Sequence, residues 1–367
     1  MPELSTFEII FIVVVAFYIL QQIIFLIGFK KKLPVNENYE PQITIIVAAR
    51  NEEQNIRNCL TSLSKVNYPK DKLEILIVDD YSTDNTGQII DEFSQKYSFV
   101  KKVIPENNII EHPGKTNAVV NALELAKGEI IFTTDADCTV KQNWIKTQLK
   151  YFADDVGVVC GFTLQRSNSQ FSGMQNLDWI YLLTVASGTI NSGVPLSCIG
   201  NNMAYRRSAY DMVGGYQKIK FSVTEDFALL HKIHSETDYK IVYPAENDAV
   251  NSSEPCPDLK TLYGQKHRWG TGGLDSKFAG YFVMSWGFLS HSLFLLQIFF
   301  GSAVTVGLMF LKFISDFIFI GIPMRRFGIF NQLKYFFAFQ IYFSLYVLLL
   351  PLLVIVDKKV VWKERKY

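Results

Sequence analysis

Apolar residues crowd both ends of the chain, and the stretch between them alternates between short β-branched runs and helical patterns. Ile9 to Gly28 is a 20-residue apolar run broken only by Gln21 and Gln22, long enough to cross a hydrocarbon core as one helix. A cleaved leader places its basic residues first. Here Met-Pro-Glu-Leu-Ser precedes the run and Lys30-Lys31-Lys32 comes after it. Residues 1–32 are therefore expected to be an anchor, with the lysines and the next part of the chain on the cytoplasmic side.

From about 40 to 277 the pattern changes. Ile43 to Val47 reads as a buried strand, Asn51 to Ser64 as a helix, and Leu73 to Val78 as a second strand ending in Asp79-Asp80. Ser82-Thr83-Asp84 offers caps for a helix running to about Tyr97. Val100 to Ile104 is expected as a third strand, and Lys115 to Ala126 as a helix stopped by Gly128. Glu129 to Thr134 forms a fourth strand, ending in Asp135-Ala-Asp137. Such alternation predicts parallel βαβ units, with ligands beyond the carboxyl ends of the strands. Both acidic pairs fall at that edge. Phe171 to Ile190 fits a helix with an apolar stripe, facing either the core or a membrane surface.

Three more apolar stretches lie beyond Lys277: Tyr281 to Phe299, Phe300 to Ile322 and Tyr335 to Val356. Residues 278–357 are expected as transmembrane or interfacial helices, and 358–367 as a basic tail. Three crossings there would put the tail outside, against the positive-inside rule, and two would keep it inside. Lys312 and Asp316 fit poorly in a lipid-facing span.

Composition narrows the classes. With 36 Lys+Arg against 35 Asp+Glu, the net charge of +1 argues against a nucleic-acid partner. The five cysteines form no regular spacing and read as reduced, buried thiols.

The candidate chemistry is acidic. Asp135 and Asp137, two apart after a strand, suit a hard divalent cation such as Mg²⁺ or Mn²⁺, which takes one or two carboxylates plus phosphate oxygens. A solvated turn is the alternative. Asp79-Asp80 suits a ribose or base contact, or a helix cap. Gly114-Lys115-Thr116 lacks the earlier glycine of a phosphate loop, since position 109 is Ile, but Lys115 can still meet a phosphate as a point charge. No GxGxxG comes after a strand, so a nicotinamide or flavin cofactor is not expected. Thr224-Glu225-Asp226 fits a proton acceptor or a helix N-terminus. Gln265-Lys-His-Arg268-Trp269 offers a guanidinium for phosphate and an aromatic face for a sugar, or an interfacial anchor. His231 and His234 lack a third zinc ligand.

The order of these motifs is more telling than any one of them. Asp79-Asp80, Asp135-x-Asp137, Thr224-Glu225-Asp226 and Gln265-x-x-Arg268-Trp269 resemble the D, DxD, TED, QxxRW series of family 2 glycosyltransferases. These are inverting, membrane-bound enzymes that include cellulose, chitin and hyaluronan synthases and ceramide glucosyltransferases. Val47-Ala-Ala-Arg-Asn51-Glu52 and Gly114-Lys-Thr-Asn-Ala118 also look like family segments. The resemblance covers roughly residues 40 to 275. It implies a Rossmann-like GT-A domain and a UDP-sugar or other nucleotide-sugar donor. It implies that Ala48, Arg50, Glu52, Asp79, Asp80 and Lys115 hold the nucleotide, and that Asp135 and Asp137 meet donor and metal. Asp226 would be the general base. Glu225, Gln265, Arg268 and Trp269 would serve the acceptor and diphosphate, with Cys198-Ile-Gly200-Asn201 as a nearby loop. The few membrane helices favour a membrane lipid or lipid-linked glycan as acceptor. A processive polysaccharide synthase, oligomeric or working with a partner channel, is the alternative.

Overall fold

The computed structural model describes residues 3–105 and 114–357, together with positions 361, 362, 365 and 366. The GT-A expectation holds in its centre. Strands β1 (Ile43–Ala49), β2 (Leu73–Asp79), β3 (Val100–Val103) and β4 (Ile130–Asp135) pair in parallel in the order β3-β2-β1-β4. The sheet continues through β7 (Met203–Arg206), antiparallel to β4, then β5 (Val156–Cys160) and β8 (Lys240–Val242), giving seven strands. A parallel ribbon of β6 (Thr163–Gln165) and β9 (Asn251–Ser253) stands apart from it.

Alternate residues of the central strands feed two cores, as a two-residue period requires. Ile45, Val47, Ile75 and Phe132 pack under α2 (Ile56–Ser64), α3 (Thr86–Lys96) and α5 (Trp144–Leu149). Ile46, Leu76, Val78 and Ile131 pack under α4 (Lys115–Leu125), α6 (Gln170–Asn191) and α8 (Glu225–Glu236). The short helix α7 (Arg207–Met212) caps β7. One expected boundary moves. α2 starts at Ile56 rather than Asn51, because Asn51 takes φ +52° and turns the chain first. α3 starts at Thr86, and Asp84, among the residues expected to cap it, accepts the Thr86 N–H at 3.0 Å.

α6 is the wedge between this unit and the apolar helices. It is buried on nearly all sides, so the membrane-surface option for it is not what is seen. It meets α1 (Thr6–Phe29) where two glycines touch. A Cβ on Gly188 would lie 2.3 Å from the Phe25 carbonyl oxygen, and one on Gly28 would lie 2.0 Å from that of Gly188. Only hydrogen fits at either place.

α1, α10 (Phe278–Phe300), α11 (Ala303–Arg326) and the segment ending in α12 (Phe336–Val356) are long and apolar enough to cross a membrane. α1 runs beside α11: Tyr18 and Gln22 donate to Asp316 Oδ1 at 2.7 Å each, and Glu8 meets Ser302. Lys312 and Asp316 are therefore not lipid-facing. They pair at 2.8 Å, both buried, with Gln340 and His291 closing the cluster, which is how charge is tolerated among apolar helices. Tyr335, just before α12, packs on Gly173 of α6, and just after the helix the Asp357 carbonyl meets His267 of α9 (Leu259–Gly273). Both of its ends thus abut the α/β unit.

Gly188→Ala should push α1 from α6. The expected cost is about 1–3 kcal/mol, read as a lowered Tm of the detergent-purified protein, with a wild-type Tm refuting the close contact.

Candidate active site

The carboxyl edge of the parallel strands gathers most of the expected residues. β1 ends beside β2 with Ala49 opposite Asp79, and the loops beyond them are stitched together. Asn51 Oδ1 accepts the Thr83 N–H at 2.9 Å, the Glu52 N–H donates to Thr86 Oγ1 at 2.7 Å, and Arg50 donates to the Asp80 carbonyl at 2.8 Å. Tyr81 sits at φ +55°, a strained value for a bulky residue. The contacts on either side hold it there. Ala48, Arg50, Glu52, Asp79 and Asp80 are thereby brought into one wall. Within it the Asp79 carboxylate is turned into the loop, where it accepts the Ser82 N–H at 3.1 Å and faces Lys102 at 3.5 Å. Gly87 leaves the space: a Cβ there would lie 2.5 Å from Asp79 Oδ2.

The centre of the site is an ammonium among acids. Lys115, in the first turn of α4, reaches Asp135 Oδ1 at 2.8 Å and Glu225 Oε1 at 3.2 Å. Burial opposes its charge, but Asp135 and Glu225 outweigh that and hold its pKa above the usual lysine value. Asp226 lies beside them. Its Oδ2 accepts the Gly200 N–H and its Oδ1 accepts the Phe227 N–H at 2.8 Å. Burial, then the charge of Glu225, push it up to about 6, against the pull of Lys115 and the two N–H groups. Thr224 makes no capping bond to α8, so the motif is more than a helix start.

Asp137 stands two residues after Asp135. The Ser253 hydroxyl approaches it at 3.4 Å, long for an O–H donor to a carboxylate, and the Cys138 thiol at 3.4 Å, an ordinary distance for sulfur. Among the described residues no group of three or more His, Cys, Asp or Glu could enclose a metal. The two carboxylates at this edge, Asp135 and Asp137, are the kind of donor set that a hard cation takes when substrate phosphate completes its shell. His231 stacks edge-on to Phe227, and burial pushes it down to about 4.

Gln265, Arg268 and Trp269 lie on α9, which passes the start of α8: a Cβ on Gly272 would lie 2.6 Å from Thr224 Oγ1. The Trp269 ring is not wholly open to a sugar. Lys266 stands 3.9 Å from its centroid and Trp179 packs at 5.6 Å. Sequence reasoning missed Ser253, Lys266 and Asp178. Ser253 and Asp178 sit in no recognisable spacing, and Lys266 occupies an unassigned position between Gln265 and Arg268; its partner Asp178 is distant in the chain. Gly200 entered only by its loop. Its role is to let the backbone reach Asp226, since a Cβ would lie 2.9 Å from Asp226 Oδ2. The cysteines are all free, as expected, and all but Cys198 are buried.

Comparison with known proteins agrees with this architecture. Residues 44–214 match glycosyl transferase family 2, and residues 130–356 match glycosyl transferase family group 2. The chain belongs to glycosyltransferase family 2. It is 27% identical to the probable glycosyltransferase YdaM of Bacillus subtilis, over 86% of this chain and 83% of that one. It is 30% identical to a beta-monoglucosyldiacylglycerol synthase of Nostoc sp., over 64% of this chain and 49% of the relative, so it spans about half the length of that enzyme. It is 28% identical to the poly-beta-1,6-N-acetyl-D-glucosamine synthase of Staphylococcus aureus, over 66% and 57%. Among solved structures, a mannosyltransferase of Pyrobaculum calidifontis in complex with GDP-Man and Mn²⁺ shares the fold at a TM-score of 0.60, with 19% identity, covering 91% of this chain and 98% of that one. The protein is a glycosyltransferase with a GT-A fold.

The raised pKa of Asp226 gives a signed prediction. The folded state holds this proton more tightly than an ordinary carboxylate near 3.8. The associated stability is present below about pH 4 and is lost as pH rises through about 6. Asp226→Asn mimics the protonated form, so its Tm relative to wild type should rise between pH 4 and pH 7. A difference that is flat with pH would show that Asp226 is not shifted.

Proposed function

We propose that the protein transfers one sugar, with inversion, from a UDP-sugar or similar nucleotide-sugar to a membrane lipid or lipid-linked glycan. The observation that carries the acceptor class is the setting of α9. The helix that bears Gln265, Arg268 and Trp269 also exposes Leu259 and Tyr263. It packs on α12, and the chain leaves it directly for the first turn of α10, where Phe278 is 84% exposed. An apolar surface that continues onto the transfer helix suits an acceptor delivered from lipid. The kinship to a glucolipid synthase supports the same reading.

The catalytic roles come from position and chemistry. The clasped loops at Ala48–Glu52 and Asp79–Asp80 hold the nucleoside. Lys115 neutralises phosphate and, before donor arrives, keeps Asp135 and Glu225 from repelling each other. Asp135 and Asp137 would hold Mg²⁺ or Mn²⁺, which would supply positive charge to the departing diphosphate. Asp226 takes the proton of the acceptor hydroxyl as that oxygen attacks the anomeric carbon. A base with a pKa near 6 is ionised at neutral pH yet basic enough to accept it. Glu225 sustains that basicity, and Arg268 lies ready for the leaving phosphates.

We place α1, α10 and α11 across a bacterial plasma membrane, with α12 lying along the catalytic unit. Both ends of α12 meet that unit, and this arrangement keeps Lys30–Lys32 and the C-terminal end of α12 on one, cytoplasmic, face.

Purified protein in detergent, given UDP-sugars or GDP-mannose, Mg²⁺ or Mn²⁺ and a bacterial lipid extract, should release nucleoside diphosphate and form a single-sugar lipid. A ladder of products would instead identify a polysaccharide synthase, the activity named for the staphylococcal relative. Asp226→Asn should bind donor normally while transfer falls roughly 10²–10⁴-fold; normal turnover would remove it as the base. Asp137→Ala should weaken donor binding only when metal is present, as read by nucleotide titration with and without Mn²⁺.

A further inference from the structure

One buried ion pair on α9 lies outside the motif residues. Lys266 Nζ pairs with Asp178 of α6, and the two side chains are 5% and 0% exposed. Tyr342 of α12 donates to the same carboxylate oxygen at 3.2 Å, and the ring of Tyr346 lies 5.3 Å from the ammonium. The pair therefore ties together three helices. Apolar residues of similar size would often pack as well or better there, so cohesion alone does not explain two buried charges. Their placement does. The ammonium stands 3.9 Å from the centroid of the Trp269 ring, well within the range of a cation–π contact. Trp179, next to Asp178, bears on the same ring. The seam is also short of hydrogen bonds: among the described residues Gln265 Oε1 and Trp179 Nε1 are buried without a hydrogen-bond partner, an uncommon state that a hydroxyl-rich ligand would relieve. Downstream on the same helix, a Cβ on Gly270 would lie 2.8 Å from Leu350 of α12, and Gly272 packs on Thr224 beside the base.

We propose that Lys266 is a positioning residue for transfer: paired with Asp178, it sets the plane of Trp269 and thereby the seat of the acceptor hydroxyl that Asp226 deprotonates. The inference rests on the placement of Trp269 at the acceptor side. It differs from that reading in assigning a part to a residue that touches no substrate. The ion pair is the fixed point about which α9 is oriented, and α12 supplies its outer wall.

The test is steady-state kinetics of the full chain in detergent, with a bacterial lipid extract as the varied acceptor, alongside Tm. The double variant Lys266→Met/Asp178→Leu removes both charges and keeps the volume. It should hold a Tm near wild type and an unchanged donor KM, while acceptor KM rises about three- to thirty-fold, the range of a lost cation–π contact. Wild-type acceptor KM in that variant would overturn the proposal, because a merely structural pair is replaceable. Should the double variant fail to fold, Lys266→Arg decides. It keeps the charge and the pair but lays a wider plane over the ring, and is expected to raise acceptor KM at unchanged Tm; unchanged acceptor KM would overturn the proposal. Trp269→Leu separates the two levels. If it leaves acceptor KM unchanged, the placement of Trp269 has failed. If it raises acceptor KM while the Lys266 variants do not, the placement stands and Lys266 has no part in it.

Discussion

Lys115 reaches Asp135 at 2.8 Å and Glu225 at 3.2 Å, and those two contacts hold the open edge of the sheet together. Asp135 comes from the end of β4 and Glu225 from the start of α8, segments that would repel each other if brought close without a cation. The same ammonium moderates Asp226, whose pKa burial and Glu225 would otherwise raise further. One lysine thus sets both the assembly of the edge and its proton affinity. A donor diphosphate would bring negative charge to the same place, which makes Lys115 the natural point at which donor binding alters the field around Asp226.

A second constraint concerns distance from the membrane helices. α6 joins the α/β unit to α1 through a contact that only glycine allows at Gly28 and Gly188. α9 joins it to α12 through Gly270, His267 and the Lys266–Asp178 pair. Close backbone approach and a buried ion pair both resist sliding, because neither has a neighbouring geometry of similar energy. The transfer helix is consequently held against the apolar block and the start of α8 together. The polar cluster of Tyr18, Gln22, Lys312 and Asp316 plays a comparable part inside that block. The two residues least suited to a lipid face are the ones that define how α1 and α11 register.

Much was legible before any coordinates. The two-residue and helical periods announced the βαβ alternation, because the strands are buried on both faces and read as apolar runs. The order of four acidic and aromatic motifs carried the family, and the positions of Asp79, Asp80 and Asp135 at strand ends come from local sequence alone. The start of α2 is not legible in the sequence, because Asn51 is held by a cross-loop hydrogen bond to Thr83 that no single segment reveals.

What the sequence determined by itself was everything with a local cause: apolar length, strand and helix period, and the chemical type of each site residue. Tertiary structure alone decided which of those residues meet. Asp226 becomes a shifted carboxylate because the fold buries it beside Glu225, while Lys115 and the Gly200 N–H hold the shift in check. Trp269 becomes a held ring only because Lys266 and Trp179 flank it. Lys312 and Asp316 become tolerable only because α1 and α12 bring partners. Each of these depends on contacts between segments far apart in the chain. Proton affinity, ring orientation and the cost of a buried charge are set by whatever lies within a few ångströms in space, which no local pattern encodes.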